Sequence, residues 1–304
     1  MNQITVIVPG TTANIGVGFD CLGAALSIYN EFQFTPLDDP EKFTITVEGK
    51  EAHRVITDKN NLLYQSFLKF YQHLDRIPPG VAIHTKLGVP LARGLGSSAT
   101  AIVGGLMGAN ALAQNPLDTA DILELAIAIE GHPDNVVPAL LGNCQLSVGE
   151  KNHWQITEVS WHSDIIPVVA IPDFELSTQE ARSVLPSTYS RSDAIFNISR
   201  MGLLLRGLAT NNDGWLKMAL EDKIHQPYRQ KLIRGYTAVK ETAIANGAYG
   251  MVISGAGPTL LALCDRSIDR EVVTAMSNAW QNEGVSPTVK SLALDSDGAR
   301  VTRH

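Results

Sequence analysis

The sequence predicts an α+β protein organised as two domains. The chain has 304 residues, about twice the length of an average domain. Hydrophobic residues make up 44% of it and charged residues 18%, which is the balance of a chain with a substantial core and not of a disordered one. Segments with strand-like alternation and segments with helical periodicity are mixed along both halves without regular alternation. That mixture is typical of the α+β class.

In the first half, alternating β-branched residues predict strands, and Ala-rich or capped segments predict helices. The predicted strands are 3–8, 27–35, 43–48 and 81–87. The predicted helices are 62–74, 98–113 and 119–130. Within helix 98–113, the Gly104-x-x-x-Gly108 pattern indicates close helix packing. After Gly131, a segment rich in Val, Leu and Gly runs to Gly149.

The polar patch 149–153 is the best candidate for a domain boundary. It divides the chain into an N-terminal domain, 1–152, and a C-terminal domain, 153–304. Beyond the patch, the predicted strands are 165–171, 249–253, 259–264 and 288–294. The predicted helices there are 178–184, 192–210, 213–221, 230–246 and 268–282.

Composition and charge argue against several classes of protein. Lys and Arg number 24 against 31 Asp and Glu, a formal net charge of −7, and no basic block is present, so nucleic acid is not expected as a partner. The 3 cysteines are widely spaced and predict neither a zinc site nor a disulfide framework. No secretory signal or membrane span is visible. We therefore expect a cytoplasmic protein.

The strongest single feature is a glycine-rich loop that leads directly into the predicted helix 98–113. Its residues are Pro90, Leu91, Ala92, Arg93, Gly94, Leu95, Gly96, Ser97, Ser98, Ala99 and Thr100. Glycines let backbone N–H groups converge, and the start of a helix adds unpaired donors and a partial positive charge. The loop is therefore predicted to bind a phosphate chain, with the Ser98 hydroxyl available to Mg²⁺. The alternative is an ordinary helix start with Ser97 or Ser98 as the N-cap.

Two other phosphate motifs fit this loop poorly. The pattern Gly94-x-Gly96-x-x-Ala99 matches the dinucleotide fingerprint, but that fingerprint requires the first glycine directly after a strand. Here Pro90 and a six-residue loop separate the glycine from strand 81–87. The Gly-Lys-Ser/Thr signature of P-loop nucleotide hydrolases is missing from the sequence. A nicotinamide cofactor is disfavoured, and the P-loop hydrolases are excluded.

Two further glycine-rich loops, 9–20 and 254–259, accompany the first. By its local pattern alone, loop 254–259 fits a hairpin turn equally well. Together and at these positions, the three loops resemble the three motifs of the GHMP small-molecule kinases (galactokinase, homoserine kinase, mevalonate kinase and phosphomevalonate kinase), over essentially the whole chain. The resemblance implies an N-terminal ribosomal-protein-S5-like nucleotide domain and a C-terminal ferredoxin-like α/β sandwich. It also implies ATP and Mg²⁺ as cofactors.

Finer patches resemble the branch of the family that phosphorylates L-homoserine. These patches are 9–23, 130–138, 177–182 and 226–229. Thr12 stands where serine is commoner, which keeps the hydroxyl. The resemblance implies that the side-chain hydroxyl of L-homoserine attacks the γ-phosphate of ATP directly, in a step toward threonine. It also implies a homodimer, while charge and composition argue against nucleic acid or a membrane as partner.

The resemblance assigns roles in the nucleotide and metal sites. It makes Glu124 and Ser98 the magnesium ligands and places Asn61 near the adenine. Helical periodicity alone favours another interpretation of Glu124, because its face of helix 119–130 is polar while Ile122 and Ala126 lie on the opposite, apolar face. On that interpretation, Glu124 belongs to a solvent-exposed stripe.

The resemblance also assigns the amino-acid site. The residues implied to bind substrate are Asn14, Asp20, His132, Asp134, Thr178, Arg182 and Arg229. Asn135 and Arg182 are implied to steer the reacting hydroxyl. Two arginines for a carboxylate and two aspartates for an ammonium describe a zwitterionic substrate. No residue is required as a general base, because phosphoryl transfer depends mainly on positioning.

Two alternatives stay open from the residues alone. Segment 132–135 also fits a simple turn, and lone arginines are usually surface residues. A sister kinase for another small alcohol and a non-catalytic metabolite sensor on the same fold are the competing functions. The combination of a metal-binding carboxylate, Ser98 and both arginines favours the enzyme.

Overall fold

The computed structural model describes residues 3–150 and 153–304 and has two β-sheets with helices packed on them. The strands of the first, seven-stranded sheet are β1 (Ile4–Asn14), β2 (Gly18–Leu37), β3 (Phe43–Glu48), β4 (Gly80–Lys86), β5 (Cys144–Glu150), β6 (His153–Val159) and β11 (Arg300–Arg303). The strands of the second, four-stranded sheet are β7 (Ile165–Ile171), β8 (Gly250–Ile253), β9 (Leu260–Asp265) and β10 (Thr288–Ser291). The mixed helix and strand content confirms the predicted α+β class.

Four α-helices lie in the first half of the chain and six in the second, among the described residues. Those in the first half are α1 (Leu62–His73), α2 (Ser97–Leu112), α3 (Thr119–Glu130) and α4 (Pro133–Leu141). Those in the second half are α5 (Thr178–Ser183), α6 (Arg191–Thr210), α7 (Asp213–Ala219), α8 (Gln226–Arg229), α9 (Tyr236–Ala245) and α10 (Asp269–Asn282). Across the described ranges, no helix is both long enough and apolar enough to span a membrane.

The first sheet is built around two long antiparallel strands. Its order is β11-β1-β2-β4-β3, with β5 added to β2 and β6 to β5. β1 and β2 pair from Ile4 to Asn14 with register shifts at Pro9/Gly10 and Ala13/Asn14. The sequence predicts only the apolar, alternating parts of these strands, 3–8 and 27–35. The stretch 10–14, read as part of a loop, continues β1 because both of its faces are covered by protein.

Helix α2 lies in the core of the first half, and glycines make its packing possible. A Cβ at Gly104 would lie 2.4 Å from the Phe32 ring, and one at Gly108 would lie 2.3 Å from the Phe34 ring. Both distances are far below van der Waals contact, so only glycine permits this approach. The prediction that these glycines mark close helix packing is confirmed.

The second sheet has the order β10-β7-β9-β8 and is covered on both faces. Its central strand β7 is buried along its whole length. Residues of α9 and α10 pack on one face, and a cluster that includes Leu204 and Leu208 of α6 packs with the other. That second cluster also contains Ile15 and Leu22 of the first sheet. One continuous apolar region therefore joins the two sheets and holds the loops between them in place.

Strand pairing crosses the predicted domain boundary. β6 follows the boundary in sequence yet pairs with β5, and β11, near the end of the chain, pairs with β1. Residues 151 and 152, in the centre of the polar patch, lie outside the described residues. The division into 1–152 and 153–304 stays a prediction, and the first sheet takes two strands from beyond it.

Candidate active site

Three glycine-rich loops meet at one end of the two sheets. The Ser254 Oγ lies 2.6 Å from the Gly94 carbonyl oxygen and 2.9 Å from the Thr12 Oγ1. The Gly255 N–H donates to the Ala13 carbonyl at 3.1 Å. Gly94 has φ +76°, and a Cβ there would lie 2.3 Å from the Ser254 carbonyl oxygen. The loops 9–20, 90–100 and 254–259 therefore form one interlocked unit, and the third loop holds the other two.

A cavity of about 360 Å³ opens beside this unit. The sequence-predicted residues that line it are Asn14, Asp20, His132, Asp134, Asn135, Thr178, Arg182 and Arg229. These residues come from both halves of the chain and from four separate segments. The structure therefore brings together every residue predicted to contact the amino acid, and their roles stay predictions.

A second cavity of about 310 Å³ adjoins the first. Ser97 and Ser98 line both cavities, so the start of α2 lies where they meet. Asn61 lines the second cavity and is also the N-cap of α1, where it accepts from the Tyr64 N–H at 3.1 Å and donates to the Ile56 carbonyl at 2.6 Å. Asn61 therefore has a structural role as the cap of α1, and its predicted position near an adenine stays a prediction.

The start of α2 is capped by no side chain. Gly96 is the N-cap, with φ +66°, and neither serine makes a capping hydrogen bond. The alternative interpretation, in which Ser97 or Ser98 caps an ordinary helix, is therefore wrong. A Cβ at Gly96 would lie 2.0 Å from the Thr11 Oγ1. The uncapped first turn has backbone N–H groups without intrahelical partners, as an anion site requires.

The carboxylate beside Ser98 belongs to Glu130, not to Glu124. The Ser98 Oγ donates to the Glu130 Oε1 at 2.7 Å, and Glu130 lines the larger cavity. Glu124 is exposed and lies six residues earlier on α3, about 9 Å along the helix axis at 1.5 Å per residue. The expected pairing of Glu124 with Ser98 is wrong, and the solvent-exposed stripe that periodicity indicates is what the structure has. A usable signal was present, because Glu130 directly precedes the polar segment 131–135.

Not every residue of the loop 90–100 presents its side chain to the cavities. Leu95, Ala99 and Thr100 have buried side chains, and Pro90 lines a different cavity. The Arg93 guanidinium is buried and bound by protein groups, because it donates to the carbonyls of Leu91, Pro172 and Asp173 at 2.9, 3.1 and 3.3 Å. The structure therefore assigns the side chain of Arg93 to holding the loop, whose lining of the two cavities also includes Leu91, Ala92 and the two serines.

Arg182 and Asp20 form a two-point ion pair across the larger cavity. The Arg182 Nη2 lies 2.7 Å from the Asp20 Oδ1, and the Nη1 lies 3.1 Å from the Oδ2. Both side chains are 36% exposed. Asp20 has φ +58°, and its N–H donates to the Asn14 side chain at 3.0 Å. The tight turn 14–20 therefore presents this carboxylate to the arginine of α5.

Arg229 is only 2% exposed, and its position is determined by backbone carbonyls. Its Nε donates to the Ala181 carbonyl at 3.0 Å, and its Nη1 donates to the Gly255 carbonyl at 3.1 Å. Within the described residues, its Nη2 has no hydrogen-bond partner. Burial lowers the pKa of this guanidinium, with Arg182 as a second cause, and arginine still carries its charge in proteins. A carboxylate entering the cavity meets a fixed donor.

Asp134 is the buried carboxylate of the site, with 4% exposure. Burial raises its pKa to about 7, and the negative charges of Asp20 and Glu130 act in the same direction. The backbone of Asp134 packs directly against Gly23 of β2, which is possible because Gly23 has no side chain. A Cβ there would lie 1.8 Å from the Asp134 carbonyl oxygen. A cationic ligand group would stabilise the charged form of this carboxylate.

Two polar side chains complete this end of the cavity. The His132 Nδ1 lies 3.8 Å from an Asp134 oxygen, and burial lowers the pKa of the imidazole. The Asn135 Oδ1 accepts from the Thr11 Oγ1 at 2.8 Å. All three of 132, 134 and 135 lie at the start of α4, which the sequence did not separate from a turn. Because α4 begins with Pro133 directly after the N-cap His132, the helix start places this set at one spot.

Family models match both halves of the chain. The model of the GHMP kinases N terminal domain matches residues 61–143, and that of the GHMP kinases C terminal domain matches 197–282. The chain belongs to the GHMP kinase family. It is therefore related to enzymes that use ATP, and the predicted two-domain GHMP kinase fold is confirmed.

Relatives in the family agree with this placement. The homoserine kinase of Crocosphaera subtropica is 64% identical over 307 residues, covering 100% of this chain and 99% of that protein. The homoserine kinase of Trichormus variabilis is 64% identical over 98% of this chain and 99% of its own length. The crystal structure of homoserine kinase from Cytophaga hutchinsonii covers 99% of this chain and 97% of its own, with a TM-score of 0.90 and 29% identity. L. major mevalonate kinase, at 15% identity and a TM-score of 0.72, shares the fold.

Proposed function

We propose that this protein transfers the γ-phosphate of ATP to the side-chain hydroxyl of L-homoserine, giving ADP and O-phospho-L-homoserine in a step toward threonine. The observation that carries the proposal is the charge pattern of the larger cavity. Arg182, Arg229, Asp20 and Asp134 all line it, and the arginines suit a carboxylate while the aspartates suit an ammonium. A zwitterionic amino acid provides a partner for both kinds of charge, whereas a neutral sugar or a simple hydroxy acid leaves the buried Asp134 without a cationic partner. The relatives named homoserine kinase support the same substrate.

The same geometry supports a binding position for the nucleotide. The smaller cavity, which Asn61 and Leu91 line, takes the adenosine, and its phosphates extend to the uncapped start of α2 at Ser97 and Ser98. Backbone N–H groups and the positive end of the helix dipole stabilise the phosphate charge there. Because both serines also line the amino-acid cavity, the γ-phosphate reaches the substrate hydroxyl without crossing a barrier of protein.

The residues present fit a magnesium ion. Ser98 and Glu130 offer a hydroxyl and a carboxylate within 2.7 Å of each other at the junction of the two cavities. Oxygen ligands are those Mg²⁺ prefers, and one or two protein ligands suffice when phosphate oxygens and water supply the others. When bound, the ion neutralises phosphate charge. We propose Glu130, together with Ser98, as the protein ligands in place of Glu124.

The chain's own groups position the attacking hydroxyl. The substrate oxygen forms a bond to the γ-phosphorus, the bond from that phosphorus to the bridging oxygen breaks, and ADP leaves. Arg182 and Arg229 hold the carboxylate, Asp134 holds the ammonium, and Asn135 orients the hydroxyl from its hydrogen bond to Thr11. Asp134 bound to the ammonium is a poor base, so the hydroxyl proton moves to the transferred phosphoryl group. This loose reaction depends mainly on positioning.

A coupled ADP-release assay tests the proposal. L-homoserine, mevalonate, galactose and shikimate are compared as acceptors, with mass spectrometry of the product. We expect turnover with L-homoserine at least about a hundredfold above the others, because mevalonate and shikimate lack the ammonium and galactose lacks both charged groups. Saturable binding of ATP and L-homoserine without ADP release would instead establish a sensor. Preference for another acceptor would establish a sister kinase.

We also propose a homodimer in the cytoplasm. The metabolites involved are small and water-soluble, and two-fold dimers are the commonest assemblies of soluble enzymes. Light scattering after size exclusion gives the mass directly. A mass near 32.8 kDa, that of one chain, contradicts the dimer.

A further inference from the structure

A cluster of four charged side chains lies behind the loop 90–100. Glu51 and Arg54 come from the segment after β3, Arg93 comes from the loop itself, and Glu175 comes from the segment before α5. Two carboxylates and two guanidiniums balance each other. The cluster thus connects three segments that are far apart in sequence, and it lies outside the charged groups that face the amino acid.

Glu51 is the member of this cluster that contacts the loop backbone. Its Oε2 accepts from the Leu91 N–H at 2.8 Å. Its Oε1 lies 2.7 Å from the Arg54 Nη1 and 3.7 Å from the Arg93 Nη2. Leu91 and Arg54 both line the cavity of about 310 Å³. One carboxylate therefore fixes two parts of the wall of the nucleotide cavity.

Glu175 contacts the same two arginines as Glu51 but does not contact the Leu91 backbone. Its Oε1 lies 3.1 Å from the Arg93 Nη1 and is also paired with Arg54. It makes no hydrogen bond to the backbone of the loop in the described part of the chain. Its side chain is 41% exposed, against 23% for Glu51. The pair offers a matched comparison, since removing either charge perturbs the same cluster and only Glu51 touches Leu91.

We propose that Glu51 is a positioning residue for the nucleotide, which it serves by holding the Leu91 backbone and Arg54 at the wall of the nucleotide cavity. This inference rests on the proposed binding of ATP in that cavity. A carboxylate suits the position because both of its oxygens face donors. A glutamine would turn an NH₂ donor toward either the Leu91 N–H or the Arg54 guanidinium, and donors do not bond each other. The wall of the nucleotide cavity would then lose either the contact that holds the Leu91 backbone or the contact that holds Arg54.

The test compares Glu51→Gln with Glu175→Gln in steady-state kinetics. We expect Glu51→Gln to raise KM for ATP about tenfold, the loss typical of one charge-assisted contact, while KM for L-homoserine and kcat stay within about twofold. Glu175→Gln should leave all three within about twofold. Hydrogen exchange supplies a direct structural measurement with Glu51→Ala and Glu175→Ala, because only the first removes the acceptor of the Leu91 N–H, so the Leu91 amide should lose protection in that variant alone.

The outcomes separate the inference from the proposed function. If the wild type shows no saturable use of ATP, the proposed function fails, and the Leu91 exchange data still report on the contact itself. If the wild type turns over and both variants behave alike, or if Glu51→Gln raises both KM values equally, Glu51 has no specific role toward the nucleotide. Should Glu51→Gln not fold, Glu51→Asp, whose shorter side chain cannot reach both partners, decides by the same measurements.

Discussion

Ser98 and Glu130 are joined by a hydrogen bond of 2.7 Å between the first turn of α2 and the last residue of α3. The helix start that we propose for the phosphates and the carboxylate that we propose for magnesium are therefore fixed to each other. Gly131, with φ +91°, ends α3 directly after this glutamate. The chain can then turn into α4 and bring Asp134 and Asn135 to the same cavity.

Replacing Glu130 tests this relationship. Glu130→Gln keeps the size and a hydrogen-bond acceptor but removes the charge, so kcat at limiting Mg²⁺ should fall at least about tenfold. Glu124→Gln, on the exposed face of the same helix, is the matched control and should leave kcat unchanged. A loss in the Glu124 variant with an unaffected Glu130 variant would contradict the assignment made from the structure.

Gly96 should be required for nucleotide binding. In Gly96→Ala the new Cβ enters the space of the Thr11 hydroxyl, 2.0 Å away, and the backbone stays at φ +66°, which costs roughly 1 kcal/mol or more for a residue with a side chain. We expect weaker ATP binding by calorimetry and a smaller effect on L-homoserine binding. Gly202→Ala, on a helix position with nothing within 4 Å, serves as the control. Equal ATP affinity in folded Gly96→Ala protein would show that the loop is not the phosphate site.

Arg182 should distinguish substrates by their carboxylate. Arg182→Lys loses the planar fork, so kcat/KM for L-homoserine should fall about ten- to a hundredfold, from a loss of roughly 1.5–3 kcal/mol. The much lower rate with 3-aminopropanol, which has no carboxylate, should hardly change. Measuring both substrates on both proteins closes a double cycle. Proportional losses on the two substrates would mean that Arg182 acts on ATP or on stability.

Asp134 should lower the stability of the ligand-free protein at high pH, where its buried carboxyl is charged, and the same charge should bind the substrate ammonium. Its pKa is raised to about 7 from a model-peptide value of 3.8, so the folded state binds the proton more tightly than the unfolded state. The resulting stabilisation is complete below pH 3.8 and is lost as the pH rises through about 7. Asp134→Asn carries no such dependence, and at pH 8 its Tm without ligands should exceed that of the wild type by at least about 3 °C.

The same variant should bind L-homoserine much more weakly, because it lacks the charge for the ammonium. Melting curves at pH 5 and pH 8, with and without L-homoserine, check both parts. If the difference in Tm between the wild type and Asp134→Asn is the same at pH 5 and at pH 8, the Asp134 carboxyl does not have a raised pKa in the folded protein.

Local sequence patterns predicted much of the fold, and the exceptions have identifiable causes. Helices α1 and α3 and strands β3 and β7 match the predicted segments closely, because each has a clear period and a clear cap or stop. Helix α4 was not separated from a turn, since it is only nine residues long and contains two prolines. Strand β11 is short, mostly exposed and at the sheet edge, so alternation is too brief to detect.

The sequence by itself determined the residue types and their spacing, which predicted a phosphate loop before α2, while the family resemblance implied arginines for a carboxylate and aspartates for an ammonium. The signal for the phosphate loop is local, because glycines and a helix start act on the chain within a few residues. Tertiary structure alone decided that Glu130 and not Glu124 meets Ser98, and that Arg93 is used to hold the loop. Six residues along one helix change the direction and the height of a side chain, and only the packing of a second helix shows which carboxylate is within reach.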